Sequence, residues 1–441
     1  MATREEIVAQ HRDHVLYTWV AQKTVTNPIV MSHGKGVYMW DVDGTRYIDF
    51  SSQLMNMNIG HGHPKVIAAI KEQAEKLAFA YPQLAHESKG AAAAKLASIA
   101  PGDLQKVLFT LGGAESIENA VKIARMVTGR HKIVTRYRSF HGAGYGSGSL
   151  GGDPRRLPHE PGITGVVRVH DPYAYRCPFG YAPEGNPQVY IDHVIQTIEM
   201  EGPENVAAIL METVTGTSGL IIPPQGYWQA LREYATEKGI LLICDEVMAG
   251  FGRTGKMFAI EHYDVVPDIL VLAKGLTCGY IPLGAVVVNK RIADHFDDHV
   301  LVAGLTYSGH PVGTAAALAT MQVYEEDGLV ENSRRMGEKM TAHLRDMKER
   351  HPCVGDVRSI GLFGVIELVK DRKTREPLSP WNKAMTPAMN AMAGQLKKGG
   401  MHTFVRWNWI FTIPPLCITE AELAEGFGII DSALKVGDGY V

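Results

Sequence analysis

Two short apolar runs decide the fold of this chain: Ile240-Leu-Leu-Ile-Cys-Asp-Glu-Val247 and Ile269-Leu-Val-Leu-Ala-Lys274. Both runs are continuously hydrophobic, which is typical of strands that are buried on both faces of a parallel sheet. Residues 207–212 and 285–288 have the same character, and helical patterns lie between the runs. This alternation predicts an α/β fold with a doubly wound, mostly parallel central sheet.

The outer parts of the chain follow a different pattern. Beyond residue 320, polar helical stretches surround short strands, which predicts a smaller α+β domain at 320–441. A large domain is predicted at 61–319, and residues 1–60 are predicted to be an N-terminal segment that joins the small domain. Within this segment, Asp43-Gly44 indicates a hairpin. Amphipathic helices are predicted at 63–79, 115–128, 227–238, 322–350 and 387–398, and short C-terminal strands at 364–368 and 409–413.

The composition is that of a globular protein. The chain has 441 residues, 45% of them apolar and 21% charged, which is enough for a large core. Its net charge of −3 argues against non-specific binding of nucleic acid. Its five cysteines are far apart, which predicts reduced thiols and neither a disulfide framework nor a structural zinc site. We found no signal-like start and no long apolar run, and therefore expect a cytoplasmic protein without a membrane span.

Charged residues end three of the predicted strands, namely Glu212, Asp245 and Lys274. In an open α/β sheet, ligands bind beyond the carboxyl ends of the strands. A structural ion pair at the sheet edge is the alternative. Glycines flank both Asp245 and Lys274, and a structural pair needs no such close approach of the backbone.

A glycine turn leads into a helix at Thr110-Leu-Gly-Gly-Ala-Glu-Ser-Ile-Glu118. Backbone N–H groups at a helix N-terminus can bind an anion, although a plain capped helix is the alternative. An anion site, an acid and a lysine together suggest pyridoxal phosphate. The lysine would form an imine with the aldehyde and move protons, the acid would keep the pyridine nitrogen protonated, and the helix would hold the phosphate.

Other motifs are less informative. The segment Gly146-Ser-Gly-Ser-Leu-Gly151 matches GxGxxG, but no strand and apolar helix flank it as a dinucleotide site requires. The sequence contains neither a P-loop nor a GxSxG nucleophile motif. His61 and His63 have no third ligand at a motif spacing, so we predict no metal site.

Several motifs together resemble the signature of class III aminotransferases, a fold-type I family that uses pyridoxal phosphate. The resemblance rests on Asp245-Glu-Val-Met-Ala-Gly-Phe-Gly-Arg-Thr-Gly255 and on Asp268-Ile-Leu-Val-Leu-Ala-Lys274. It extends from about Gly36 to the C-terminus. It implies a large α/β/α domain with a smaller α+β domain, and an enzyme that works at least as a homodimer, with a tetramer as the alternative assembly.

The resemblance also implies roles for individual residues. Lys274 and Asp245 would be catalytic: Lys274 would carry the cofactor as a Schiff base, and Asp245 would pair with its pyridine nitrogen. Further cofactor contacts would come from Val247 below the ring, Phe140 above it, His141 beside it and Glu212 at its edge, with the backbone of Gly113 and Ala114 and the partner subunit's Thr306 at the phosphate. Arg406 would receive the acceptor's carboxylate.

This sequence departs from the family's pattern at the phosphate loop. The family usually has Ser-Gly-Ser there, whereas this chain has Gly112-Gly113-Ala114, which removes hydroxyl donors. Candidate walls of the substrate pocket are Leu54, Met57, Phe79 and Tyr81, each of which could instead be a packing residue.

The predicted reaction is a ping-pong transfer of an amino group from an ω-amino acid or primary amine to a keto acid, with pyruvate as the expected acceptor. Residues 280–288 are similar to those of ω-amino acid–pyruvate and taurine–pyruvate aminotransferases. The alternatives are a 4-aminobutyrate or ornithine type that uses 2-oxoglutarate, a decarboxylase, racemase or aminomutase of the same fold, and a non-catalytic cofactor-binding protein. The misplaced GxGxxG disfavours a nicotinamide dehydrogenase.

Overall fold

The computed structural model describes residues 2–180 and 186–441. Its strands are β1 (Met31–Lys35), β2 (Tyr38–Asp41), β3 (Arg46–Asp49), β4 (Leu104–Thr110), β5 (Lys132–Arg136), β6 (Val166–Val169), β7 (Val206–Glu212), β8 (Leu241–Asp245), β9 (Ile269–Leu272), β10 (Gly284–Asn289), β11 (Val354–Ile360), β12 (Phe363–Asp371), β13 (Glu376–Pro377), β14 (Met401–His402), β15 (Val405–Arg406) and β16 (Trp409–Thr412).

Regular helices span Arg4–His14, Pro64–Lys76, Glu87–Ile99, Gly113–Thr128, Tyr145–Leu150, Gln188–Glu201, Tyr227–Lys238, Lys290–Asp298, Pro311–Glu326, Leu329–Arg350, Pro387–Lys398 and Glu420–Asp438. The stretch predicted as one helix at 322–350 is two helices, because Gly328 adopts a φ of +59° between them. Among the described residues, no helix is long and apolar enough to cross a membrane.

The central sheet has seven strands in the order β4-β10-β9-β8-β7-β5-β6. All run in one direction except β10, which is antiparallel to both of its neighbours. The prediction of a mostly parallel α/β sheet is therefore confirmed. The parallel direction expected for residues 285–288 was wrong, because burial on both faces gives an apolar run whichever way a strand points.

The register of the sheet brings the charged strand ends together. Glu212 at the end of β7 lies opposite Asp245 at the end of β8, and Asp245 lies opposite Val271 of β9. The helix Gly113–Thr128 follows β4 and buries one apolar face on the sheet. Its first residues therefore reach the same edge of the sheet as Glu212 and Asp245.

Two smaller sheets lie outside this core. One has the order β1-β2-β3-β14, so a strand near residue 401 pairs in parallel with β3 of the N-terminal segment. The hairpin between β2 and β3 turns at Asp43-Gly44, where it was predicted. The other sheet has the order β11-β12-β16-β15, with β13 added to β12. The domain boundaries themselves stay a prediction.

Candidate active site

A cavity of about 480 Å³ opens beyond the carboxyl ends of β4, β7, β8 and β9. Residues that end or follow these strands line it, including Gly113, Glu212, Asp245 and Lys274. The site thus lies where an open α/β sheet places its ligand.

Lys274 follows β9 after one extended residue and begins a short 3-10 turn. Its φ is +38°, a left-handed conformation that costs a non-glycine residue about 1–3 kcal/mol and that is concentrated at functional sites. Burial lowers the pKa of Lys274, although the nearby carboxylates of Asp245 and Glu212 oppose this shift. The side chain therefore offers an amine that can act as a nucleophile once it is neutral.

Asp245 is fixed from both sides of its carboxylate. Its Oδ2 lies 2.7 Å from Nδ1 of His141, and its Oδ1 accepts the backbone N–H of Val247 at 2.9 Å. Because a carboxylate only accepts, the proton of His141 belongs on Nδ1, and Nε2 can accept from the Thr135 hydroxyl at 3.2 Å. This chain of contacts orients a buried acid toward the cavity.

Glu212 occupies the wall beside Asp245. One of its oxygens accepts the backbone N–H of Phe140 at 2.9 Å, and the other accepts that of Gly216 at 2.7 Å. Burial raises the pKa of Glu212, and the charge of Asp245 raises it further. Glu212 therefore ties the loop that carries Phe140 to the end of β7.

The N-terminus of the helix Gly113–Thr128 lies at one side of the cavity, where Gly112, Gly113 and Ala114 line it. Backbone N–H groups at such a helix start can bind an anion. The nearby hydroxyls of Thr110 and Ser116 bond to each other at 2.6 Å, so main-chain N–H groups are the donors that remain.

The arrangement fits pyridoxal phosphate. The cavity presents an amine, a fixed buried carboxylate and a helix N-terminus, which match the aldehyde, the ring nitrogen and the phosphate of this cofactor. Within the described residues, no group of three or more His, Cys, Asp or Glu side chains could hold a metal ion.

The structure brings most of the predicted site residues together. The predicted residues that line the cavity are Leu54, Gly113, Ala114, Phe140, His141, Glu212, Asp245, Val247 and Lys274. Their individual roles stay predictions, but their convergence is a structural fact.

The other predicted site residues lie outside this cavity in the single chain. Met57 is half-buried against the core, and Thr306 lies in an exposed turn. Phe79 packs edge-on against Tyr307, with ring centroids 5.9 Å apart, and Tyr81 is 56% exposed. Four of the expected contacts therefore need either a second subunit or a different assignment.

Arg406, the predicted receptor of the acceptor's carboxylate, contacts an acid and an aromatic ring in the single chain. Its Nη1 lies 2.8 Å from Asp153, and its guanidinium stacks 3.9 Å from the ring of Trp407. It does not line the cavity in this structure.

Sequence reasoning missed other residues at the cavity. Trp19, Thr217 and Phe404 line it, as does Arg155, whose guanidinium lies 3.4 Å from the centroid of the Phe140 ring. The run Asp153-Pro-Arg-Arg156, directly after a glycine-rich stretch, was the available signal for Arg155. We find no comparable signal for Trp19.

The family model for class III aminotransferases matches residues 19–434. The chain therefore belongs to this family, and it is an enzyme that uses pyridoxal phosphate. This confirms the fold-type I assignment and the cofactor, and it sets aside the non-catalytic and dehydrogenase alternatives.

Three similar proteins show how varied the relatives are. A probable 4-aminobutyrate aminotransferase of Bacillus subtilis is 38% identical, over 91% of this chain and 92% of its own. A leucine/methionine racemase of Thermococcus litoralis is 35% identical, over 95% and 94%. The crystal structure of taurine:2-oxoglutarate aminotransferase from Bifidobacterium kashiwanohense, in complex with PLP and glutamate, is 42% identical and covers 100% of this chain and 99% of its own, with a TM-score of 0.96.

Proposed function

We propose that this enzyme transfers an amino group from an ω-amino acid or a primary amine to a keto acid, with pyruvate as the acceptor. The observation that carries the proposal is the cavity in which Lys274 and the fixed acid Asp245 lie together beyond neighbouring strands. When bound, pyridoxal phosphate supplies an aldehyde that can take up the amino group and a ring that stabilises negative charge on the adjoining carbon.

The chain's own residues divide the remaining work. Lys274 would hold the aldehyde of the cofactor through its amine and, once that amine is free, would move the proton at the donor carbon. Asp245 would hold a proton on the ring nitrogen, and His141 keeps this carboxylate in place. Phe140 and Val247 line the cavity and would border the ring.

Phosphate binding falls to the backbone of Gly113 and Ala114, since hydroxyl donors are missing from their loop. The partner subunit's Thr306 is proposed to complete this site. Large apolar side chains are exposed around Thr306 in the single chain, among them Phe79, Val300, Val302 and Tyr307. Such a patch favours burial against a second copy. Two results would support this role of Thr306: elution of the wild type at twice the monomer mass, and weaker retention of the cofactor by Thr306→Ala.

The charge of the arginine cluster beside the cavity favours a substrate with one negative charge. Arg155 and Arg406 share the single carboxylate of Asp153, which leaves this cluster with one net positive charge. Pyruvate brings one carboxylate, and an ω-amino acid or taurine likewise carries one anionic end. The walls around Trp19, Leu54 and Phe404 are otherwise suited to apolar groups.

The use of 2-oxoglutarate is the second candidate. It is favoured by the similarity to the taurine:2-oxoglutarate enzyme and to the probable 4-aminobutyrate aminotransferase. Because one of the relatives is a racemase, the test also includes racemisation as a third candidate reaction.

The test is a half-reaction followed by a full one. The holoenzyme receives taurine, β-alanine, 4-aminobutyrate or a primary amine without any keto acid. A stoichiometric loss of the cofactor's visible absorption, reversed by pyruvate, supports the proposal. Reversal by 2-oxoglutarate alone would favour the second candidate. Loss of optical rotation from a single amino acid enantiomer, without any keto acid, would instead identify a racemase.

A further inference from the structure

A second cavity lies between strand β11 and the loops that follow β6 and β7. Its volume is about 1090 Å³, against about 480 Å³ for the cavity at Lys274, and the described lining residues of the two cavities do not overlap. The loop after β7 separates them, since Thr217 lines the first cavity whereas Ile221 and Ile222 line the second. The proposed transamination makes no use of this second space.

Two guanidiniums lie over the ring of Tyr175, which lines the second cavity. The Cζ atom of Arg375 is 4.8 Å from the centroid of this ring, and that of Arg176 is 5.3 Å from it. The backbone of β11 approaches the hydroxyl of the same ring so closely that a Cβ at Gly355 would lie 2.5 Å from it. The Tyr175 hydroxyl therefore lies beside the part of β11 that carries the acid described next.

The cations at this cavity outnumber its acids. Asp356 accepts from Nζ of Lys348 at 3.2 Å and pairs with Arg358, whose Nη2 lies 2.8 Å from Glu367. Burial alone would raise the pKa of Glu367, but the charges of Arg358 and Arg176 outweigh it and lower the pKa to about 2, so this acid is charged. Four cations, including both arginines above the tyrosine ring, thus face two carboxylates, and the net charge is +2.

Three buried polar atoms in or beside this cavity have no hydrogen-bond partner in the described part of the chain. They are the hydroxyls of Tyr175 and Tyr190 and Nη2 of Arg176. Tyr190 lines the cavity, and only 1% of it is exposed. Buried polar groups nearly always have partners, so a group of unpaired ones indicates a missing ligand or ordered water. All three atoms can donate, which matches the oxygens of an anion.

Arg358 frames the site without offering a free donor. Its Nε donates to the carbonyls of Gly219 and Leu220 at 3.0 and 3.1 Å, and both of its Nη atoms pair with acids. Lys348 gives one contact to Asp356, and Arg375 donates from Nη1 to the Tyr175 carbonyl. Lys348 and Arg375 therefore keep further N–H groups for a ligand.

The chemistry of the lining selects the class of ligand. A phosphate monoester carries a charge of about −1.5 to −2 at pH 7 and three acceptor oxygens, which matches the net charge and the unpaired donors. A dicarboxylate has a similar charge but needs a cation at each end, whereas the cations here gather around one tyrosine. The rest of the lining is largely apolar or aromatic, and it includes Ile221, Ile222, Pro223, Pro224 and Val357.

We propose that this second cavity binds a phosphate monoester with an aromatic or apolar body. The phosphate accepts from Lys348, Arg375 and the Tyr175 hydroxyl, and the body packs against Ile222 and Pro223. The site is separate from the substrate and cofactor site, and its ligand takes no part in the amino transfer.

The experiment measures the binding of phenyl phosphate to the holoenzyme by calorimetry. The Kd should rise about 10- to 100-fold in Lys348→Met/Arg375→Met, the range expected for the loss of charge-assisted hydrogen bonds. The matched control, Lys397→Met/Arg335→Met, removes the same two charges from exposed helix positions and should keep the Kd within about 2-fold of the wild type. Inorganic phosphate should bind about 10-fold more weakly than phenyl phosphate, because it has no apolar body to bury.

A further variant separates the two cavities. Arg155→Met alters the first cavity and should leave the Kd of phenyl phosphate unchanged; loss of binding in this variant would place the probe in the first cavity and overturn the proposal. Failure of the wild type to bind phenyl phosphate, or an unchanged Kd in Lys348→Met/Arg375→Met, would also overturn it. Inorganic phosphate or glutarate that binds as tightly as phenyl phosphate would overturn the assigned class of ligand.

A milder variant decides if the double variant does not fold, which the visible absorption of its bound cofactor will show. Tyr175→Phe keeps the ring under both guanidiniums and loses only the hydroxyl. A rise of a few-fold in the Kd of phenyl phosphate supports the proposal, and no rise overturns it. The measurement needs no turnover, so its result is independent of the proposed transamination.

Discussion

Replacement of Lys274 by methionine should change how the stability of the cofactor-free enzyme depends on pH. Burial lowers the pKa of this lysine in the folded chain below the value of 10.5 expected when it is exposed. Between the lowered pKa and 10.5, the unfolded chain binds a proton that the folded chain lacks. The free energy of unfolding of the wild type therefore rises with pH in this window.

The limiting slope is about 1.4 kcal/mol per pH unit for one titrating group. Lys274→Met has no group to titrate, so its stability gain over the wild type should be largest below the lowered pKa and should shrink as the pH rises toward 10.5. Lysine and methionine occupy the same left-handed backbone at position 274, so the cost of backbone strain cancels when the two proteins are compared.

Urea unfolding of both cofactor-free proteins, followed by far-UV circular dichroism at several pH values, measures the difference. Lys397→Met, on an exposed helix position, is the control for removal of a lysine charge as such. A stability difference between wild type and Lys274→Met that stays constant over this pH range would refute the reasoning.

Three further predictions concern the groups around Lys274. Asp245→Asn should retain the cofactor but lower kcat about 10³-fold, because the fixed buried charge of this carboxylate is gone. An unchanged kcat in steady-state assays would contradict this. His141→Asn should lower kcat about 10- to 100-fold through the lost orientation of Asp245, and the visible spectrum should show that cofactor remains bound. Gly142→Ala should weaken cofactor binding, measured by equilibrium dialysis, because its φ is +134° and a Cβ would lie 2.5 Å from that of Ala114. The control is Gly361→Ala, which also has a positive φ, of +56°, but does not line the cavity. It should cost about 3 kcal/mol of stability or more without weakening cofactor binding preferentially.

The sequence was sufficient to locate the charged residues at the ends of the buried parallel strands. Asp245 and Lys274 follow apolar runs, and the sheet register then places Glu212 opposite Asp245. The direction of β10 was not predictable, because its apolar run is the same in either direction. Long continuous patterns also concealed the break at Gly328, where a single left-handed residue separates two helices.

The substrate end of the site was much less predictable. Arg155 lies in the 3-10 helix Pro154–His159, which packs its guanidinium onto Phe140, and no local pattern specifies such a contact. The pairing of Arg406 with Asp153 joins residues that are far apart in the sequence. Contacts of this kind depend on tertiary packing, whereas strand ends depend on short-range patterns.

The cavity is assembled from strand ends and loops that range from residue 19 to residue 404, so no short fragment of the chain contains it. The amine, the acid and the phosphate cradle converge only when the sheet has its final strand order. The colour acquired with the cofactor is therefore a built-in reporter of native assembly. Recovery of that colour during refolding should coincide with the last cooperative step and not with early helix formation.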